Sequence, residues 1–394
     1  MLLTPKSELD RRIHRLQQLL TQEGIDGMII VQNADLFYFA GTIQRSHLFI
    51  PAEGKPLLFV KRSYERAKEE SALSEIIPLD NPKDLPAMLS AHGHTSLNTL
   101  GFELDVLPAS QFFRYQKLFA GIRLVDGSSL IRTVRAIKSE YEIGLMKLAG
   151  EQSRGAFDYV SQCLQAGISE LELASQVEAF YRAQGHPGHV RTRGFNMDIG
   201  YGQLSSGTSL AIPSFFEGPI GGTGLSPLLS MGSGTKIIER DETVFVDYVG
   251  IREGYMVDAT RVFCIGKLPD HLVRAHGVSI EIQHLLKTEG RPGVTGGELY
   301  EKAVALAKKH GLKEHFMGYA DQVAFVGHGI GIELDEWPVI AKGVKTPLEA
   351  GMVFAMEPKF VFPEGAVGLE DTFVVRPEGL EAITEYEEGI IYLP

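Results

Sequence analysis

Apolar residues at Leu9, Ile13, Leu16 and Leu20 recur three and four positions apart, with charged residues between them. That spacing places them on one face of a helix near the start of the chain. Thr4 stands where a cap belongs, Pro5 suits the first turn, and Gly24 supplies the stop. Beyond it the pattern shortens to apolar runs punctuated by glycine or proline: GMIIV, LFYFAG, HLFIP and PLLFV. Such runs predict strands. Helical stretches near 62–73, 83–91 and 108–119 alternate with further short strands, ending at RLVDG. Residues 1–130 therefore predict a small α/β domain. His92 and His94, in AHGHTS, fall in a turn-like polar patch and read as a solvated loop.

The pattern changes at SSLIRTVRAIKSEYEIGLMKLAG, where long helical periodicity begins, so the second domain is expected over residues 131–394. Ser169-x-x-Glu172 is a capping box ahead of an apolar stripe. AGISELELASQVEAFYRAQG (166–185) can be laid on PGVTGGELYEKAVALAKKHG (292–311) without a gap, at an offset of 126. Gly167 then falls on Gly293, Ser169 on Thr295, Leu173 on Leu299 and Gly185 on Gly311. Capped amphipathic helices resemble one another, so chance similarity and a true repeat both explain the match. A true repeat implies two related α/β halves facing a cleft.

A chain of 394 residues exceeds one ordinary core, which supports two domains. The composition, 44% hydrophobic and 22% charged, is that of a soluble globular protein. A formal net charge of −12 argues against nucleic acid or an anionic membrane as partner, since both need a basic surface. Two cysteines, Cys163 and Cys264, exclude a disulfide framework and a cysteine-rich zinc site, and fit a reducing cytosol. MLLTPKSELDRR has no apolar signal-peptide region, and no apolar run approaches the roughly 18 residues of a membrane helix. A cytoplasmic location is expected.

Two segments carry chemistry. In DYVGIREGYMVDATRVF, apolar runs flank Arg252-Glu253-Gly254, which predicts a hairpin. A turn centred between residues 252 and 253 sets Asp247 directly opposite Asp258, with Cβ atoms about 5 Å apart. In MEPKFVFPEGAVGLEDTFVV, a turn at Pro363-Glu364-Gly365 pairs Glu357 with Glu370. Paired carboxylates on half-buried strands repel, so each pair needs a cation or lysine partners. Oxygen donors with one imidazole suit two divalent first-row cations better than structural zinc, and four carboxylates balance two such ions. A water shared by the ions would lose a proton readily and act as nucleophile. The imidazole is His328, in GHGIGIELDEWP, whose flanking glycines permit close backbone approach.

Over these motifs and nearly the whole chain, the sequence resembles the pita-bread metallopeptidases, in the Xaa-Pro aminopeptidase, prolidase and creatinase branch. The resemblance rests on ELDRRIHRLQQLLTQEGIDGMII and FYFAGT, then IRTVRAIKSEYEIGLMKLAG, VFVDYVG, YMVDATRVF, GHGIGIELDE, AMEPKFVFP and VGLEDTFVV. It implies an α/β (α+β) fold: a small creatinase-type N-terminal domain, then a pita-bread domain with pseudo-twofold related halves. It implies hydrolysis of short peptides by a metal-bridging hydroxide. Asp247 would bind one metal, Asp258 and Glu370 would bridge, and His328 and Glu357 would bind the second, with Glu357 also accepting the water's proton. The implied cofactors are two divalent ions, manganese first, with cobalt or zinc as alternatives. The implied assembly is a homodimer in which N-terminal domains frame the neighbour's cleft.

Two positions depart from the family. Ser230 falls where the peptidases have a catalytic histidine ahead of the first aspartate, and Asp335 falls seven residues after His328, where they have a second. A serine can donate one hydrogen bond, and an ionised aspartate none. These replacements point to a substrate with a cationic or neutral polar group near Asp335. They keep open a non-peptidase reading on the same fold, an amidinohydrolase or lyase acting on a small polar substrate, and a degenerate binding protein. His189, Arg191 and Arg193, in the stretch between strands at 186–224, are candidates to bind a substrate carboxylate, or are solvated loop charges. Trp337 and Pro338 read as packing or as a substrate wall.

Overall fold

A computed structural model of the chain describes residues 2–394. They form two compact units that meet in sequence between Arg135 and Ala136.

The N-terminal unit opens with the helix Lys6–Glu23. Leu9, Ile13, Leu16 and Leu20 are all buried, each burial stabilising by about 1.5–3 kcal/mol. Pro5 rather than Thr4 occupies the N-cap, without a side-chain cap, and Gly24 ends the helix in the left-handed conformation. Six strands follow in the spatial order Ile76–Pro78, Leu57–Val60, Ser46–Pro51, Gly27–Ile30, Thr99–Phe102, Arg123–Asp126. One expected strand is a helix. LFYFAG lies in Asn33–Ala40, because Gln32 caps it by accepting a hydrogen bond from the Asp35 N–H, and Gly41 closes it. Its apolar residues face inward nearly all round, which erased the periodicity that separates helix from strand. AHGHTS is a turn after the helix Leu85–Ala91, with the His94 ring packed edge-on to Phe49.

The second unit contains the same arrangement twice. Helices Glu140–Cys163 and Glu170–Ala183 share a core with a four-stranded sheet, ordered Ile391–Leu393, Tyr255–Ile265, Val244–Arg252, Gly202–Ser206. Helices Asp270–Glu289 and Gly296–Lys309 share a second core with a five-stranded sheet, ordered Glu336–Ala341, Phe325–Gly329, Val353–Met356, Asp371–Arg376, Gly379–Ala382. The repeat read from sequence is visible in the caps. Ser169 with Glu172, and Thr295 with Glu298, form equivalent capping boxes. Gly167 and Gly293 precede them in matching left-handed turns, at φ 96° and 92°. The stretch 186–224 is not only loop, since it supplies the edge strand Gly202–Ser206. A bridge between Thr260 and Glu370 joins the two sheets where their strands run side by side.

Candidate metal centre

The strand Val244–Arg252 carries Asp247, and Tyr255–Ile265 carries Asp258. Their register corrects the sequence expectation. Arg252 pairs with Tyr255 across a two-residue turn of Glu253 and Gly254, both at positive φ, so Asp247 pairs with Thr260 and Asp258 with Val249. The shift is two residues, and an even shift keeps both aspartates on one face as diagonal neighbours.

The second hairpin has the expected register. Lys359 pairs with Gly368 and Phe362 with Gly365, while Met356 pairs with Asp371 in the adjoining sheet. Glu357 and Glu370 lie between these two ladders, at the same level. Pro358 lacks a backbone N–H, and the chain passes there from the five-stranded sheet into the small hairpin. Glu370 is fixed by its backbone bridge to Thr260 and by a 2.8 Å hydrogen bond from the Thr260 hydroxyl to Oε2.

His328 sits on Phe325–Gly329, paired with Val339 on one side and Ala355 on the other. Its glycine neighbours serve this position. A Cβ on Gly327 would meet the Ala355 carbonyl at 2.5 Å, and one on Gly329 would meet the Trp337 backbone at 2.3 Å. Nδ1 donates to the Leu334 carbonyl at 2.8 Å, which turns Nε2 toward the acids. Nε2 lies 3.9 Å from Asp258 Oδ2, 3.8 Å from Glu357 Oε1 and 3.7 Å from Glu370 Oε1. Those distances are too long for hydrogen bonds. Asp258, His328 and Glu370 each offer a donor atom within 4.8 Å of the others. Asp258 Oδ1 and Glu370 Oε1 are buried without a hydrogen-bond partner. Buried polar atoms are rarely left so, and here oxygen and nitrogen donors surround a gap that a divalent cation fits.

A sixth residue completes the cluster. Lys359 Nζ lies 2.8 Å from Asp247 Oδ2, 2.7 Å from Glu357 Oε2 and 3.0 Å from Glu370 Oε2. The side chain is buried, with Nζ 5.6 Å from the centre of the Phe245 ring. The charge count that matched four carboxylates to two dications omitted this lysine. The signal was present: Lys359 is two residues after Glu357, and period-two alternation places both on one face.

The electrostatics follow from burial and from this cation. Burial pushes the Asp247 carboxyl up, and with the charges of Glu370 and Asp247 it raises Asp258 well above its ordinary value. Burial also raises Glu357, to about 7, with Lys359 opposing. Glu370 goes the other way. Burial would raise it, but Lys359 and His328 outweigh burial and bring it to about 2. Burial would lower His328, and Glu370, Glu357 and Asp258 override it, lifting the imidazole to about 10 when no metal competes for Nε2.

The cluster forms the floor of a cavity of about 680 Å³, with Phe195, Met197, Phe215, Phe216 and Leu334 among its apolar walls. Asp335 lines the cavity too, but its carboxylate faces backbone donors: Oδ1 accepts from the Arg193 N–H at 2.6 Å, and Oδ2 from the Gly194 N–H at 2.7 Å. Ser230 does not line the cavity, while its neighbour Met231 does. His189, Arg191 and Arg193 also lie outside its lining. His189 is exposed, and buried Arg193 approaches Glu333 at 3.5 Å. Trp337 packs against the core of the second half.

The sequence profile of metallopeptidase family M24 matches residues 144–377, and that of the creatinase/prolidase N-terminal domain matches residues 12–137. The chain is 28% identical to a Bacillus subtilis (strain 168) protein named "Uncharacterized peptidase YqhT", over 97% of this chain and 100% of that one. It is 26% identical to the Xaa-Pro dipeptidase of Pyrococcus horikoshii, over 97% of this chain and 99% of that one. Among solved structures, the Xaa-Pro dipeptidase from Bacillus anthracis superposes with a TM-score of 0.83 at 26% identity, covering 98% of this chain and 100% of that one.

Proposed function

The chain belongs to metallopeptidase family M24, in its Xaa-Pro branch, and from that premise we propose that this metal-dependent peptidase is a dipeptidase cleaving Xaa-Pro substrates. The observation that carries the reading is the convergence of Asp258, His328, Glu357 and Glu370 on the floor of one apolar-walled cavity. A cavity of about 680 Å³ is of the size that takes small ligands, and a dipeptide is one.

In this proposal Asp258, His328 and Glu370 hold a divalent ion, and Asp247 and Glu357 complete the acidic shell. The ion supplies Lewis acidity, polarising the scissile carbonyl and acidifying water. Glu357 takes the proton of the attacking water and returns it to the leaving amine. Its Oε2 is engaged by Lys359, which leaves Oε1, on the His328 side, as the proton acceptor. Asp335 holds the 193–194 backbone and so shapes the wall, which replaces the expectation that its charge receives a cationic substrate group. Ser230, His189, Arg191 and Arg193 have no part in the proposal, because they lie off the cavity lining.

Manganese is the proposed metal, since oxygen donors with one imidazole suit it. Residues 131–394 are the proposed catalytic domain and residues 1–130 the proposed framing domain of a homodimer. Exposed Phe195 and Phe215 in the cavity lining support an interface. The two free cysteines, with no helix among the described residues long and apolar enough to cross a membrane, support a cytoplasmic proposal.

The test is proline release from a panel of Xaa-Pro dipeptides and tripeptides by manganese-loaded and chelator-stripped protein. Metal-dependent turnover of the dipeptides is expected. A loaded protein that releases no proline from any of them sinks the reading.

A further inference from the structure

The acids of the centre face two different cations' worth of space, and only one of those spaces is open. On one side, Asp247 Oδ2, Glu357 Oε2 and Glu370 Oε2 converge on Lys359 Nζ at 2.7 to 3.0 Å. An ammonium has three N–H donors, and here each has an acceptor. A divalent ion bound by the same three oxygens would need the same point, because its bonds to them are about 2.0–2.2 Å long. Lysine and ion therefore exclude each other. The lysine is buried beside Phe245 on the Lys359–Phe362 strand, and its three hydrogen bonds hold the ammonium among these oxygens.

On the other side the oxygens are unfilled. Asp258 Oδ1 and Glu370 Oε1 are buried without partners, and His328 Nε2 stands 3.7 to 3.9 Å from three carboxylate oxygens. Glu370 spans both sides, Oε2 on the ammonium and Oε1 toward the gap, and Glu357 is split in the same way.

We propose that Lys359 is a built-in cation standing where a second metal ion would sit, so that the chain binds a single divalent ion between Asp258, His328 and Glu370. The proposal rests on the metal-dependent peptidase reading for the presence of any ion. It deepens that reading by replacing the two ions that the family resemblance implies with one ion paired with one ammonium. The chemical consequence is a fixed positive charge on one side of the centre, which no chelator removes. The Asp247 carboxylate becomes a partner of this lysine instead of a metal ligand.

The test is metal stoichiometry on the full chain. Protein stripped by chelator is dialysed against excess Mn(II), and manganese per chain is measured by plasma mass spectrometry, with an EPR spectrum of the same sample. One ion per chain with an isolated-ion spectrum is expected, and none in His328→Ala. Two ions per chain, with an exchange-coupled spectrum, overturn the proposal, and so does wild type that binds none. Lys359→Ala should rise to two ions per chain; a well-folded variant that still binds one shows that the lysine is not what excludes the second. If that variant does not fold, the wild-type and His328→Ala stoichiometries decide alone. Xaa-Pro hydrolysis is followed in parallel. One bound ion without hydrolysis overturns the peptidase reading and leaves this proposal standing, while hydrolysis with two ions does the reverse.

Discussion

The His328 ring donates from Nδ1 to the Leu334 carbonyl at 2.8 Å, so the nitrogen facing Asp258, Glu357 and Glu370 is the one left to bind a cation. A carbonyl only accepts, which fixes the tautomer of the neutral ring. Metal binding must then compete with protonation of Nε2, which the surrounding acids favour. Bound metal should raise the melting temperature of the chain, by the equivalent of about 2.7 kcal/mol when the free ion is at a hundred times its Kd. Chelation should abolish the gain, and His328→Ala and Asp258→Asn should never show it. Differential scanning calorimetry with and without manganese checks this; equal shifts in wild type and His328→Ala would place the ion elsewhere.

Glu357→Gln keeps the shape and an oxygen for Lys359 but cannot take a proton. Removing a positioned general base costs about 10²–10⁴ in rate, so kcat should fall by that factor on any Xaa-Pro substrate that the wild type cleaves. Metal content, measured on the same preparation, should stay close to wild type if Asp258, His328 and Glu370 are the principal ligands. A variant that keeps its metal and most of its kcat would assign the proton to another group.

How much of this was legible in the sequence depended on whether local pattern or long-range charge decided the outcome. The opening helix could be read because its apolar stripe is one-sided. The 359–368 hairpin could be read because its turn is centred between Pro363 and Glu364, midway between strands of equal length. The Ser169–Glu172 capping box could be read because its geometry is confined to four residues. The Asn33–Ala40 helix could not, since its burial on most sides removes periodicity. The Asp247–Asp258 register failed because the turn, centred between Glu253 and Gly254, was placed one residue too early. Lys359 was passed over for a different reason: lysine is mostly exposed, and only the folded position of Asp247 and Glu370 shows why this one is buried.

His186 gives a pH dependence whose sign can be worked out. Its Nε2–H donates to the Val249 carbonyl at 3.1 Å, while Nδ1 accepts from the Gly188 N–H at 3.0 Å. Both nitrogens are therefore committed in the neutral form, and protonation of Nδ1 would break the second bond. Burial lowers the pKa from 6.5 to about 4, with nearby His189 and Arg182 adding to it. A folded-state pKa below the unfolded one means stability is intact above pH 6.5 and declines as pH falls toward 4. The loss reaches about 3 kcal/mol there, at 1.36 kcal/mol per unit. His186→Gln should be less stable at neutral pH and should lose less on acidification. Urea midpoints from pH 7 to pH 4 test it: parallel curves for the two proteins would mean that His186 does not titrate in this way.

Ser230 and Asp335 fall in comparable places in the sequence pattern, and the structure separates them. Asp335 accepts hydrogen bonds from two backbone N–H groups of the cavity wall, and an ionised acceptor makes each worth about 1.5–3 kcal/mol. Asp335→Ala releases residues 193 and 194, next to Phe195 and Met197 in the cavity lining. Because Phe195 and Met197 line the cavity and the proton acceptor Glu357 is unchanged, the loss should fall on KM more than on kcat. The freed segment should also become more sensitive to limited proteolysis near Arg191 and Arg193. Ser230 is outside the lining, and Ser230→Ala should change kcat/KM by no more than about twofold, the ordinary effect of a substitution away from any special contact. The two variants are assayed side by side on one Xaa-Pro dipeptide. A large kcat defect in Ser230→Ala with normal metal content would mean that the serine reaches the substrate after all, through closure of the 212–231 segment over the cavity.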